Sequence, residues 1–252
     1  MRIRNWRLRG EQFGALWHDT GQDRQPYPFA LISSARTYNA FEYQQREIRE
    51  AFVGDDRQDV RMAVRILAEP EVFVEISGET YEKKPIRIIG AQLQRWCAIA
   101  VQEPGPKPAG GGDVVLGSGI RQDLAALLIG QVPQNAAGKR TFARNDEPEE
   151  DFYSQDILRS AGAGPALPRL EDVLRAGYAG RGTIRVFRGP RHMRGELGSA
   201  RWVDIAGDGR YVVGPRDKNA AVPADPGFLA SAVDSLITRG LREQRELAEQ
   251  RW

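Results

Sequence analysis

The sequence predicts an α+β fold organised around an antiparallel sheet. Before residue 70 apolar residues recur at helical spacing, and from residue 71 the period drops to 2 over three successive runs whose links are too short for helical crossovers. The same order, strands and then a helix, returns after residue 180.

Residues 1–9 alternate Arg2, Arg4, Arg7 and Arg9 with Ile3, Trp6 and Leu8, and no apolar stretch follows as a secretory signal requires; the segment reads as an edge strand. Phe41, Ile48 and Phe52 mark a first helix. Asp55 or Asp56 is expected to cap a second, with Val60, Ala63, Val64 and Leu67 on one face and Pro70 as its stop. Val72, Val74 and Ile76 then alternate with Glu71, Phe73 and Glu75 as in a half-buried strand, and residues 85–91 and 96–102 continue an antiparallel meander. After the Pro/Gly-rich residues 104–112 come a strand at 113–117 and a short helix with Ile120, Leu124, Leu127 and Leu128 inward.

Composition shifts at Pro133. A first half of about residues 1–132 and a second of about 169–252 are expected within a single domain, joined by a marginally structured linker at about 133–168. That linker holds Asp146, Glu147, Glu149, Glu150 and Asp151 and a helix candidate at 151–160. A small helix near 167–177 precedes strands at 183–188, 200–206 and 210–213, and Asp208-Gly209 marks a hairpin turn because both tolerate positive φ. Asp225 caps and Pro226 opens the last helix, whose expected core face is Phe228, Leu229, Val233, Leu236 and Ile237. Its end carries Arg239 with Glu243, Arg242 with Glu246 and Arg245 with Glu249 as a solvated face. The strand-to-helix passages 113–128 and 219–233 echo each other around Leu124-Ala125 and Leu229-Ala230, which suggests a duplicated half.

Composition narrows the chemistry. The 252 residues hold 36 Lys plus Arg against 34 Asp plus Glu, so no net field draws the chain onto nucleic acid or acidic lipid. His18, His192 and Cys97 are too few and too scattered for a zinc site, and a lone cysteine forms no disulfide within the chain. No run approaches the roughly 20 apolar residues of a membrane span. Gly117-Ser118-Gly119 lacks the spacing of a nucleophile elbow. Gly138-Lys139 has Pro133 where a phosphate loop needs glycine and Arg140 where it needs Ser or Thr. Cys97 reads as a buried small hydrophobe, and the visible acids sit in the linker, away from any rigid scaffold. The expectation is a cytoplasmic protein with no catalytic residues, cofactor, metal or membrane insertion.

The basic segment leaves two readings open. Arg181, Arg185, Arg188, Arg191, Arg194 and Arg201 face one acid, Glu196, with Phe187 and Trp202 nearby. Such a set contacts phosphates and stacks on bases in a nucleic-acid-binding or regulatory module, or it forms a face paired with acids, those at 146–151 among them.

The order of features resembles the EspG family, chaperones of ESX (type VII) secretion in actinobacteria. The likeness runs through residues 26–31, 67–76, 127–140 and, most specifically, 202–236, where Asp204, Gly209-Arg210-Tyr211 and Pro223-Ala224-Asp225 stand as the family has them. Residues 218–222, Lys-Asn-Ala-Ala-Val, depart from it, since family members carry a Trp-containing strand there; a weaker final strand is implied. The resemblance implies a central antiparallel sheet flanked by N- and C-terminal helical bundles in pseudo-twofold halves. It also implies a cytosolic chaperone without catalysis or cofactor that covers the tip of a PE-PPE heterodimer and delivers it to the secretion apparatus. The family's interface region points to residues 77–85, with Tyr81 as anchor and Glu82, Lys83 and Lys84 at the rim, and to Leu229, Val233 and Leu236 of the last helix.

Overall fold

A computed structural model describes residues 4–106, 110–120, 123–142, 167–213 and 220–249. The first strand, β1 (Arg4–Leu8), lies at a sheet edge as its alternation predicts, and Arg7 clasps Glu103 with two bonds of 2.6 Å. Three helices follow: α1 (Gly10–His18), α2 (Tyr38–Ala51) and α3 (Gln58–Ala68). Thr37 caps α2 by accepting from Ala40 N at 3.2 Å. The expected aspartate cap of α3 is absent: residues 55–57 form one 3-10 turn, and Arg57 takes the cap position without a side-chain bond. Gly54, at φ +138°, turns the chain into that tight segment and so displaces Asp55 and Asp56 from the helix start. Val60, Ala63, Val64 and Leu67 are buried as their spacing predicts.

The first meander is β2 (Val72–Thr80), β3 (Pro85–Leu93), β4 (Trp96–Pro104) and β5 (Gly111–Ile120), followed by α4 (Leu124–Ile129). After α5 (Leu170–Ala176) the second is β6 (Gly180–Arg188), β7 (Gly195–Ile205), β8 (Gly209–Val213) and β9 (Ala221–Pro223), followed by α6 (Pro226–Glu249). All pair antiparallel in one nine-stranded sheet of order β1-β5-β4-β3-β2-β6-β7-β8-β9. The two meanders therefore grow outward from the central β2–β6 pair, where Val74 stands opposite Val186. Asp123 accepts from Ala126 N (2.9 Å) and Asp225 from Phe228 N (2.7 Å), so α4 and α6 start by the same device.

Because helices cover both faces, β2 is not the half-buried strand its alternation predicts. Phe73 and Glu75 are as buried as Val72, Val74 and Ile76. Phe73 stacks on Phe187 at 4.8 Å in a core shared with α1 and α3, while the other face joins α4 and α6 in a second core. Smaller corrections follow from the same packing. Ile120 ends β5 instead of lying on a helix, and Leu127 is only partly buried. Phe228 is 48% exposed, since α6 turns Leu229, Val233 and Ile237 inward. The left-handed residue of the β7–β8 turn is Gly207 (φ +71°), because the turn runs through residues 206–208 and Gly209 already belongs to β8.

The first part of the expected linker is packed. Arg210 N donates to Ala136 O (2.8 Å), Gly138 N donates to Arg210 O (3.0 Å), and Phe142 joins Leu170, Val203, Ile205 and Tyr211 in a third core. Residues 136–138 thus bridge to β8 at Arg210, and the last strand, β9, spans three residues. The acidic cluster at 146–151 and the helix candidate at 151–160 lie outside the described residues.

Candidate partner-binding site

The β2–β3 hairpin projects from the central strands and carries four of the sequence-predicted residues. Its pairing ends at Glu79 opposite Pro85. The turn is closed by Lys83 N donating to Thr80 O (2.9 Å) and Thr80 N donating to Lys84 O (3.0 Å), with Lys83 in the left-handed region at φ +60°. Tyr81 is 72% exposed at the tip. Glu82 and Lys84 pair at 2.6 Å, and Lys83 turns back toward Glu79 at 3.4 Å.

The base of the hairpin meets Tyr178, between α5 and β6. The Tyr178 hydroxyl donates to Glu79 Oε1 at 2.5 Å, and Arg181 Nε donates to the same oxygen at 2.8 Å. That hydroxyl, ahead of Lys83 and Arg181, holds the Glu79 carboxyl below the usual carboxylate range. Beside this cluster runs an open groove of about 810 Å³ across the sheet, lined among others by Tyr27, Leu170, Leu174, Arg181, Val203 and Val213. Tyr27 closes one side by donating its hydroxyl to Ser77 Oγ (3.0 Å). Sequence reasoning missed Tyr178 and Tyr27. The signal for Tyr178 was an aromatic set in Ala176-Gly177-Tyr178-Ala179-Gly180, between a helix and a strand.

The helix candidates fall elsewhere. Leu229 and Val233 are buried between α6 and the sheet, so they pack the core instead of presenting a surface. Leu236 is partly buried, with its methyls over Gly198.

The arginine segment resolves toward acid pairing. Arg181 meets Glu79 (2.8 Å), Arg185 meets Glu196 (2.6 Å), Arg188 meets Glu243 (3.3 Å), and Arg191 and Arg194 share Glu75 (3.5 and 3.8 Å). Arg201 is exposed, with no ion-pair partner among the described residues. Arg191 is a core residue. It lies over Phe73 (4.2 Å) and Trp17 (5.2 Å) and donates to Leu67 O at 2.7 Å, and burial pushes its guanidinium down to about 10. A phosphate-binding surface needs cations that are free to release counterions, and five of these six are occupied by glutamates. Trp202, offered as a stacking ring, is buried against Gly182.

The most specific stretch of the resemblance is a structural junction. Arg210 is fully buried and grips Asp204 through two bonds (2.7 and 2.8 Å) while donating to Pro133 O (2.6 Å). Gly209 has no room for a side chain, because a Cβ there would lie 2.7 Å from Ala137 O. The Tyr211 hydroxyl donates to Asp208 (2.7 Å) and accepts from Arg140 N (2.6 Å), and Ala224 N donates to Arg210 O (3.0 Å). Cys97 is buried and His18 Nδ1 lies 3.0 Å from Gln22 O. Among the described residues no three His, Cys, Asp or Glu gather as metal ligands, and no helix is long and apolar enough to cross a membrane.

These features define a mixed α+β protein built on one large antiparallel sheet, with its signature residues at the junction of β8, β9 and α6. The chain belongs to the EspG family, whose model matches residues 10–235. It is also similar to the Mycobacterium tuberculosis type VII secretion system chaperone EspG5, solved in complex with the PE25-PPE41 dimer. The match has 14% identity and a TM-score of 0.57, covering 93% of this chain and 96% of that one. At that identity the likeness establishes the fold. No curated protein matches the sequence.

Proposed function

We propose that this chain is a cytosolic, non-enzymatic chaperone of type VII secretion. It binds the exposed tip of a PE-PPE-like helical heterodimer, keeps the pair soluble and delivers it to the secretion apparatus. The observation that carries this reading is the family match over residues 10–235, supported by a fold shared with a chaperone solved on such a dimer. The docking surface is the β2–β3 tip, with Tyr81 as anchor, Glu82, Lys83 and Lys84 around it, and the adjoining groove to receive an apolar ridge. We also read the sheet as two pseudo-twofold halves meeting at β2 and β6, each ending in an aspartate-capped helix, with helical layers flanking the sheet.

Co-expression with tagged PE-PPE pairs from the same genome tests this. A soluble complex is expected with one pair, and Tyr81→Ala is expected to weaken it about 30-fold, as loss of an interface hot spot does. Recovery of no pair by a folded chain refutes the reading, as does salt-sensitive binding of mixed DNA or RNA in a gel shift.

A further inference from the structure

The hairpin tip is held from the side by one aromatic ring. Lys83 Nζ lies 4.4 Å and Arg181 Cζ 4.6 Å from the centre of the Tyr178 ring, so two cations lie within contact of it. The ring's hydroxyl bonds Glu79, whose carboxylate also takes Arg181 and Lys83, and Lys83 Nζ touches that hydroxyl as well. Both ends of this cluster are anchored in the sheet. Glu79 and Arg181 are a ladder pair of β2 and β6, and Tyr178 is fixed by Ala179 N donating to Asp204 O at 2.7 Å. The turn at 81–84 is held otherwise only by its own short-range bonds, and Lys83, which carries its left-handed φ, is the residue the cluster grips.

We infer that Tyr178 is a positioning residue for docking: it holds Lys83, and through it the 81–84 turn, in the geometry that presents Tyr81 to a partner. This rests on the hairpin being the docking element proposed above. A turn left to wander must be ordered at the moment of binding, and apparent affinity falls by the fraction of chains that hold the competent shape. The cluster also pairs every charge at the tip, with three cations sharing two carboxylates. Glu79 answers Lys83 and Arg181, and Glu82 answers Lys84, so Tyr81 is left as the apolar feature offered outward.

Hydrogen exchange on the free full chain tests the positioning role. In Tyr178→Ala, and in Lys83→Met, which alters only an exposed arm of the cluster, the amides of Thr80 and Lys83 exchange about tenfold faster while the β2–β6 ladder stays protected, and Lys83→Met, which leaves the packing of the Tyr178 ring on the third core intact, also keeps the native melting temperature. Tyr178→Phe keeps the ring and restores most of the protection. With the PE-PPE heterodimer recovered by co-expression, Tyr178→Ala slows association about tenfold and leaves dissociation near native. Tyr81→Ala does the reverse. Native exchange at 80–84 in both Tyr178→Ala and Lys83→Met overturns the positioning role by itself, as does faster exchange with unchanged association. Native binding by Tyr81→Ala overturns the docking reading, and the positioning role with it.

Discussion

Arg210→Met tests whether the residues that make the chain recognisable hold its second meander together. Methionine keeps an unbranched chain of similar reach but removes the charge and three hydrogen bonds, two to Asp204 and one to Pro133 O. Asp204, itself buried, then keeps a carboxylate with no guanidinium beside it. Breaking a buried pair from one side costs about 3–5 kcal/mol. For a chain of this size that is a fall in melting temperature on the order of 10 °C, at about 2–4 °C per kcal/mol. Asp204→Leu combined with Arg210→Met should recover most of the loss. Apolar replacement of a whole buried pair is often neutral, and Arg210 Nη1 already lacks a partner among the described residues. Urea unfolding of the native chain, both single variants and the double gives the coupling energy, expected above about 2 kcal/mol. A single-variant loss below about 1 kcal/mol, or a double variant no more stable than Arg210→Met, refutes the reasoning.

Gly182→Ala is expected to destabilise by about 1–3 kcal/mol, because its Cβ would lie 2.0 Å from the buried Trp202 ring; a native thermal melt contradicts this packing. Burial pushes the Glu75 carboxyl up against the opposing pull of Arg191, Arg194 and Arg185. A carboxyl raised on folding contributes its full stability below its unfolded value of about 4.3 and loses it as the pH climbs through the folded value. The stability of the native chain minus that of Glu75→Gln should therefore fall as the pH rises from about 4 in urea titrations, and a rising difference contradicts the assignment. Since the hairpin charges answer one another, the dissociation constant of the PE-PPE complex should change less than about threefold between low and high salt, measured by titration calorimetry; a tenfold change shows that charge carries the contact.

Elements whose signal is local were legible in the sequence. Asp225-Pro226 is enough to start α6, because one carboxylate and one fixed φ act within a single turn, and β1 follows from alternation alone. Signals that depend on what lies across the fold were not legible. Period 2 in residues 71–76 predicts a strand but is silent on whether helices cover one face or both, and so the burial of Phe73 and Glu75 was hidden. Residues 133–142 look like a linker because they pair through backbone atoms, and backbone pairing leaves little mark in composition. Asp55 and Asp56 have the chemistry of a cap, yet the bend at Gly54 decides where the helix begins. Leu229 and Val233 were read from their spacing as core, which they are, while the resemblance offered them to a partner. A partner role needs an exposed face, and the core has taken this one.

The residues that identify the chain and those that would choose its partner are different sets under different constraints. Asp204, Gly209, Arg210, Tyr211 and Asp225 are buried, in close contact or committed to a cap, and substitution there is felt by the fold whatever partner is bound. The tip at 81–84 is exposed and tied to the body through Lys83, Tyr178 and Glu79, so Tyr81 and Glu82 can vary without disturbing the sheet. A family that keeps the junction and alters the tip can retain one fold at low sequence identity while changing the shape it presents. The 14% identity to EspG5, over 93% of this chain, shows that the fold persists where most side chains differ, as it can when it is held by a limited set of buried contacts.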